Sequence, residues 1–177
     1  MKYFELELDD VNYSDAPRLI NWYGVQDVRL IKWENYHKWQ QRLVYDVNPS
    51  EPIIFTDILS FPFLLVSPMI KNTIQLYGDK VVFKETILLS SEKEFEEVYY
   101  LPIMQESDQL HLSYVESWGN RNQQGKLPEW MKDRNIFWVR QKGKRHTIIN
   151  LDLAESLLRR KAIGLHLKEV LVSEREI

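Results

Sequence analysis

Four histidines are the residues of this sequence best suited to acid–base chemistry or metal binding. Two of them fall in alternating strand patterns, where His111 with Glu116, or His166 with Glu169, could form an acid–base pair or part of a metal site. Neither pair has the spacing of a recurring catalytic or metal-binding motif. Because a histidine in such a strand is more often a surface or core residue, the sequence predicts no catalytic or metal-ligating role for the four histidines, His37, His111, His146 and His166.

Other chemical motifs are also missing from the sequence. Asp57 precedes an apolar run and could serve as a catalytic carboxylate, but an aspartate in that position more often begins a turn or caps a helix. The six glycines are scattered singly, so they form no loop that cradles phosphates. The chain has no cysteine, which excludes disulfides, thiolate metal sites and cysteine nucleophiles. The sequence therefore predicts no catalytic, cofactor-binding or metal-binding residues.

The charged residues concentrate in two blocks of opposite sign, although the net charge is only −3. Such a weak net charge does not favour nonspecific binding to nucleic acid. Each block is either a solvated surface or a surface that faces a charged partner. The acidic block contains Glu85, Glu92, Glu94, Glu96, Glu97, Glu106 and Asp108. The basic block contains Arg121, Lys126, Lys132, Arg134, Arg140, Lys142, Lys144 and Arg145.

Aromatic residues within the basic block raise the alternative of a nucleic-acid-binding surface. Trp130, Phe137 and Trp138 supply rings for stacking beside cations for phosphate contacts. However, Phe137 and Trp138 are adjacent in a predicted strand and must point to opposite faces, so at least one of them is expected in the core. No recognised DNA- or RNA-binding motif surrounds them, and nucleic acid is therefore not an expected partner.

The clearest structural element is a strand–helix–strand unit near the end of the chain. Residues 145–149 and 165–172 have strand patterns, and residues 152–163 between them have a helical one. Asp152 and Glu155 have the spacing of a capping box, and Gly164 suits the left-handed residue that ends a helix. The predicted apolar stripe of this helix consists of Leu153, Leu157 and Leu158.

A second helix is predicted at residues 68–77. Ser67 is a favourable N-cap, Pro68 occupies the first helical position, and Gly78 follows the helix. Its apolar stripe, Ile70, Ile74 and Tyr77, is expected to pack on a sheet.

The remaining pattern contains more strand than helix. Strands are expected at residues 2–8, 28–33, 80–89, 98–104, 110–117 and 135–140, and residues 33–43 form either a short helix or a strand. Because strands and helices do not alternate regularly, the sequence predicts an α+β fold, a mostly antiparallel sheet with two or three short helices packed on it. The length favours a single domain over residues 1–177, with a less regular N-terminal portion at 1–52.

Membrane association is not expected. The first eight residues alternate as a strand and lack the apolar core of a signal peptide. The longest apolar stretch, residues 61–69, contains two prolines and is too short to span a bilayer. We therefore expect a cytoplasmic protein.

Three segments of the chain resemble a known family. They are the opening strand Met1-Lys-Tyr-Phe-Glu-Leu, the middle segments from Thr56 to Lys71, 81–83 and 99–103, and the closing unit from Ile148 to Leu167. These segments resemble the immunity proteins of bacterial polymorphic toxin systems, in particular the family usually numbered eleven. The resemblance covers about two-thirds of the chain and rests on apolar, capping and glycine residues. It implies a cytoplasmic protein that neutralises a cognate toxin by binding it.

Two function classes follow. The first is an immunity protein that occludes a cognate toxin. The second is an enzyme of unrecognised class, which acts on a small molecule or reverses a toxin's modification. A deep pocket that collects histidines and carboxylates would favour the enzyme, and exposed aromatic residues would favour the binding protein. For the binding protein, the expected contact residues are Glu92, Glu94, Glu96, Glu97, Trp33 and Trp39, the two tryptophans on condition that they are exposed.

Overall fold

The computed structural model describes residues 1–25, 27–48, 53–90, 92, 94–115, 128–131 and 133–174. It confirms the α+β class, with two six-stranded sheets that are mostly antiparallel. The strands are β1 (Tyr3–Leu8), β2 (Arg18–Ile20), β3 (Arg42–Asn48), β4 (Ile58–Leu59), β5 (Leu65–Val66), β6 (Val82–Ser90), β7 (Phe95–Ile103), β8 (Glu106–Ser107), β9 (Leu110–Tyr114), β10 (Ile136–Gln141), β11 (Lys144–Asn150) and β12 (Leu165–Glu174). The α-helices are α1 (Trp22–Val25), α2 (Pro68–Leu76) and α3 (Leu151–Arg159).

Sheet 2 is formed by one continuous part of the chain, whereas sheet 1 combines the first strand with the last five. Sheet 1 has the order β8-β10-β11-β1-β12-β9, and only the β8–β10 pair is parallel. Sheet 2 has the order β2-β3-β6-β7-β5-β4, and only the β3–β6 pair is parallel. All strands of sheet 2 lie between β1 and β8 in the sequence, so β1 joins sheet 1 from the other end of the chain.

Sheet 1 carries buried apolar side chains on both of its faces. Phe4, Leu6 and Leu8 of β1 face the main core, which contains side chains from both sheets, whereas Tyr3 faces a second cluster on the opposite side. The two faces follow the alternation that the first eight residues show in the sequence. Phe137 and Trp138 likewise point to opposite faces, and both are buried. The second cluster contains Tyr3, Leu110, Leu112, Met131, Phe137, Val139, Ile148, Val170 and Val172.

Sheet 1 curves until β9 at its edge approaches β10 near its other edge. The side chain of Gln141 closes the gap. Its Oε1 accepts a hydrogen bond from the Leu112 amide at 2.7 Å, and its Nε2 donates to the Leu112 carbonyl at 3.0 Å. A side-chain amide thus takes the place of a neighbouring strand's backbone, and the second cluster is enclosed on the concave side.

Helix α2 forms as its sequence predicts. The hydroxyl of Ser67 accepts a hydrogen bond from the Ile70 amide at 3.3 Å, and Pro68 lies in the first turn. Ile70 and Ile74 are buried, and Gly78 follows with a φ of +72°.

Helix α3 begins earlier than expected. Its N-cap is Asn150, whose Oδ1 accepts a hydrogen bond from the Leu153 amide at 3.0 Å, so the predicted cap at Asp152 is wrong. The reason is that β11 leads directly into the helix, and its last residue serves as the cap. The buried stripe consists of Leu153, Ala154 and Leu157, while Leu158 is 56% exposed and does not belong to it.

Gly164 does occupy the left-handed region predicted for it, with a φ of +83°. It follows a turn rather than ending the helix, which stops at Arg159. A side-chain β-carbon at Gly164 would lie 2.7 Å from two carbons of Thr56, so the close approach of these segments also requires glycine.

The segment between β2 and β3 differs most from expectation. The strand predicted at residues 28–33 is a 3-10 helix at Val28–Leu30, which Asp27 caps through the Arg29 amide. Residues 33–43, for which the sequence left a short helix or a strand open, begin with a 3-10 helix at Trp33–Lys38, and β3 begins at Arg42. Aromatic side chains gave both segments a strand-like composition, but packing on the main core and local capping decide their conformation.

The other predicted strands are present with ends shifted by a few residues. In the part of the chain that the structure describes, no helix combines the length and apolar character needed to cross a bilayer.

Candidate functional site

A buried polar cluster lies on the concave face of sheet 1, beside the apolar second cluster. It joins Glu5 of β1, His146 of β11 and Tyr114 of β9. Glu5 Oε1 lies 2.5 Å from His146 Nδ1, and the Tyr114 hydroxyl donates to Glu5 Oε2 at 2.7 Å. Glu5 is almost completely buried and His146 is largely buried. These three side chains form the most concentrated group of acid–base residues in the described core.

The pKa shifts in this cluster favour an ion pair. Burial alone would raise the pKa of Glu5, but hydrogen bonds from His146 and Tyr114 outweigh burial and lower it. The hydrogen bond to Glu5 raises the pKa of His146 against the opposing effect of burial. Burial, together with the bond to Glu5, raises the pKa of the Tyr114 hydroxyl. These directions favour an ionised Glu5 beside a protonated His146, with Tyr114 as a hydrogen-bond donor.

Three further ionisable side chains, Glu7, His166 and Lys168, lie on the same face of sheet 1 at the solvent side of this cluster. The register places Glu7 opposite His166 and Glu5 opposite Lys168. Lys168 Nζ lies 3.8 Å from the centre of the Tyr114 ring. Burial and the charge of Glu5 raise the pKa of Glu7.

The geometry of the cluster favours a structural role over catalysis. Both oxygens of Glu5 already have partners, and the ring of His146 interacts with Glu5 and with the backbone of Gln141. A general base needs a nitrogen that can reach a substrate proton. The cluster instead ties together four strands of the curved sheet, β9, β1, β11 and β10.

The sequence did not single out this cluster. His146 was one of four candidate histidines, but Glu5 is 141 positions away and the pairing has no local signature. The alternation of carboxylates with apolar residues in β1 is the one available signal, because a carboxylate on a buried face needs a partner.

Of the two residue pairs that the sequence raised and did not favour for acid–base chemistry, His166 and Glu169 are not brought together. His111 and His166 are exposed, and Glu116 lies outside the described residues. His166 and Glu169 are three residues apart on β12 and therefore point to opposite faces. Glu169 instead lies 3.6 Å from Lys2. His37 is exposed, and among the described residues no group of three or more acidic or histidine side chains could hold a metal ion.

Asp57 is not itself the helix cap or turn residue that its sequence context predicts, because Ser67 caps α2 and Asp57 bonds to that cap. Its Oδ1 accepts a hydrogen bond from the Ser67 hydroxyl at 2.6 Å, and its Oδ2 accepts one from the Ile163 amide at 2.7 Å. It therefore connects the start of α2 with the turn that follows α3.

The predicted acidic contact residues lie in and after the hairpin between β6 and β7. Glu92 and Glu94 are exposed in the turn, and Glu94 has a φ of +51°. Glu96 and Glu97 follow in β7, where neighbouring side chains point to opposite faces, so Glu96 is exposed and Glu97 is half-buried. The four glutamates therefore form an acidic tip with one member turned away from it.

The two tryptophans predicted as contact residues have different environments. Trp39 is only 5% exposed, and its indole N–H donates to the Leu30 carbonyl at 3.2 Å. The condition for its role as a contact, exposure in the free protein, is therefore not met. Trp33 is half-buried, with its ring 5.2 Å from that of Tyr36.

The basic block is partly neutralised within the protein. Glu106 accepts hydrogen bonds from Arg140 at 2.7 Å and from Arg145 at 2.5 Å. Burial would raise the pKa of Glu106, but these two arginines outweigh it and lower the pKa. Arg145 also lies 4.0 Å from the centre of the Trp138 ring. Arg121, Lys126 and Lys132 of the same block lie outside the described residues.

An exposed aromatic ridge is the most conspicuous surface feature, and its three members are Trp22, Tyr23 and Phe61. Tyr23 is 74% exposed and Phe61 is 69% exposed. The ring of Trp22 lies 5.8 Å from that of Tyr23 and 6.0 Å from that of Phe61, both edge to face. Trp22 also packs against the main core and so anchors the ridge to the fold.

Two clefts border the aromatic ridge at Phe61. One has a volume of about 430 Å³ and includes Val28, Arg29 and Lys144 in its lining. The other has a volume of about 650 Å³ and includes Tyr13 and Arg18. Phe61 lines both clefts, so it forms a raised apolar wall between two depressions.

No protein-family model matches this chain, and no curated protein matches it significantly.

Proposed function

We propose that this protein is a cytoplasmic immunity protein that binds a cognate polymorphic toxin and neutralises it by occlusion. The observation that carries the proposal is the aromatic ridge. Exposed aromatic side chains beside clefts are the usual anchors of protein–protein interfaces. The resemblance of three chain segments to immunity proteins supplies the class of partner.

The ridge has the physical properties of a binding hot spot. Trp22 holds the rings of Tyr23 and Phe61 through edge-to-face contacts, so these rings lose little conformational freedom when a partner covers them. The two clefts beside Phe61 can receive side chains of the toxin. Burial of the Tyr23 and Phe61 rings by the toxin then stabilises the complex, whereas in the free protein both rings are exposed to solvent.

The acidic tip of the β6–β7 hairpin supplies a second element of the proposal. Glu92 and Glu94 are exposed carboxylates at a sheet end, where they attract a basic toxin over a distance. Charges of this kind affect the association rate more than the final affinity. In this proposal the aromatic ridge determines the affinity for the toxin, and the β6–β7 hairpin increases the rate at which the two proteins associate.

The test begins with recovery of the toxin by affinity capture from the native bacterium, followed by binding and growth-protection measurements with the purified toxin. Tyr23→Ala with Phe61→Ala should weaken binding by about 30-fold or more, as for a hot spot of about 2 kcal/mol. Leu76→Ala with Val11→Ala is the matched control, because both side chains are highly exposed and neither belongs to the ridge.

Three outcomes would count against the proposal. Failure to recover any toxin would contradict the immunity function. Equal binding by the ridge variant and the control variant would contradict the ridge as the contact. Loss of protection in a folded histidine variant that still binds the toxin would favour the alternative, an enzyme that reverses the toxin's modification.

A further inference from the structure

The outward face of sheet 2 carries a row of apolar side chains, and α2 approaches this face at the end where Lys71 lies over the Tyr100 ring. The register aligns Val44, Ile87 and Val98 in one row across β3, β6 and β7. Val44 is 45% exposed, and Ile87, Leu89 and Val98 are half-buried. Among the described residues these four belong to neither core cluster. The opposite face of β6 carries buried side chains, so the four aliphatic residues point away from the core.

The charges on this outward face separate in part towards its two ends, because Arg18 of β2 lies beyond Asp46 at one end and Glu85 lies beside Arg42 at the other. Asp46 and Glu96 lie one row beyond the apolar row, and neither forms an ion pair with any described residue. Towards the other end, Arg42 pairs with Glu85 at 2.5 Å, and Lys71 of α2 lies 4.3 Å from the centre of the Tyr100 ring. Asp46 and Arg42 are four residues apart on β3, which corresponds to about 13 Å along the strand. An acidic end and a more basic end therefore lie on either side of the apolar row.

We infer that the outward face of sheet 2 is a self-association surface, on which a second copy of this chain docks about a two-fold axis that crosses the strands at the apolar row. This axis places Val44, Ile87 and Val98 opposite their own copies. It also brings the acidic end of each copy, Asp46 and Glu96, against the basic end of the other, Arg42 and Lys71. The face is therefore complementary to itself, as an isologous dimer interface requires.

The charge distribution selects this arrangement over the alternative. A two-fold axis parallel to the strands would place the acidic ends of both copies together, and such like-charge contacts are unfavourable. In the favoured arrangement the two sheets pack face to face with nearly antiparallel strands, a geometry that sheet packing allows.

The size of the face sets the expected affinity. Three strands at about 4.8 Å spacing and about 13 Å of strand length cover a patch well below the ~800 Å² per partner of a standard interface. The dimer is accordingly weak and salt-sensitive, with dissociation in the range of tens to hundreds of micromolar, about 5 to 6 kcal/mol. It does not require the aromatic ridge, so self-association and toxin binding are separable.

The experiment is sedimentation velocity on the purified chain from about 5 to about 500 micromolar, at about 50 mM and about 500 mM salt. The weight-average mass should rise towards twice the monomer mass at low salt, and less at high salt. Val44→Asp should keep the protein monomeric, whereas Leu76→Asp, at another highly exposed position, should not. A wild-type protein that stays monomeric throughout, or a Val44→Asp protein that still dimerises, would overturn the inference.

A charge exchange tests the orientation. The variant Asp46→Lys with Glu96→Lys, and the variant Arg42→Glu with Lys71→Glu, should each be monomeric because each places like charges together. An equimolar mixture of the two variants should recover the dimer, because opposite charges then meet at both ends. Circular dichroism melts establish that both variants are folded. Dimerisation of either variant alone would overturn the two-fold axis inferred here.

Discussion

Glu5 Oε1 lies 2.5 Å from Nδ1 of His146, although the two residues are 141 positions apart in the chain. The pair belongs to the buried network that joins four strands of sheet 1. Because both groups titrate, the stability of this sheet is expected to depend on pH, with a window that follows from the directions of the two pKa shifts.

The contribution of the Glu5–His146 pair to the free energy of unfolding should be largest between pH 4.5 and pH 6.5. The pKa of His146 is raised above its ordinary value of 6.5, so its contribution is complete below pH 6.5 and is lost as pH rises through the folded-state pKa. The pKa of Glu5 is lowered below 4.5, so its contribution is present above pH 4.5 and is lost as pH falls through the folded-state pKa.

The measurement is urea denaturation of the wild type and of His146→Gln across this range. The difference between the two proteins should shrink as pH increases above 6.5. His111→Gln is the control, since His111 is exposed and should show little difference at any pH. A His146→Gln difference that grows with rising pH would contradict an ion pair between His146 and Glu5.

Helix α3 offers a matched pair of leucines for a test of the core. Leu157→Ala should destabilise the protein by about 2–5 kcal/mol, because the side chain is fully buried and its removal leaves a cavity. Leu158→Ala should change the free energy of unfolding by less than about 0.5 kcal/mol, because Leu158 is largely exposed. Denaturant melts of both variants check the assignment, and similar costs for the two would contradict it.

The N-cap of α3 can be tested in the same way. Asn150→Ala should cost about 1–2 kcal/mol, because it removes the bond to the Leu153 amide and a second bond from Nδ2 to Asn135. Asp152→Ala should cost only about half a kcal/mol, the usual effect of a carboxylate in the first turn. Thermal and denaturant unfolding measure the stability of both variants. A larger loss of stability for Asp152→Ala than for Asn150→Ala would show that Asp152 is the N-cap.

Charge reversal tests the acidic tip as a steering element. Glu92→Lys with Glu94→Lys should lower the association rate with a basic toxin by about tenfold at low salt and much less at high salt. Glu34→Lys with Glu174→Lys gives the same change in net charge at exposed positions away from the hairpin. Stopped-flow association rates at two salt concentrations compare the variants. Equal rates for the two charge reversals would show that only net charge matters.

The sequence predicted elements whose signals are local, and it missed contacts between distant segments. Ser67 and Pro68 start α2 as expected, because their capping geometry involves only neighbouring residues. The cap of α3 was misplaced because Asn150 belongs to a strand as well, which no local pattern reveals. The aromatic ridge was also missed, since Phe61 joins Trp22 and Tyr23 only after the chain has folded. The ion pair of Glu5 with His146 was missed for the same reason, because its two residues are 141 positions apart.

The position of β1 between β11 and β12 has a consequence for biosynthesis. Both neighbours of β1 come from residues 144–174, whereas every strand of sheet 2 lies within residues 18–103. On the ribosome, sheet 2 can therefore assemble while β1 still has no partner. The nascent chain must keep an apolar strand unpaired until nearly all of the described chain has emerged, and during that interval β1 is a natural target for a chaperone.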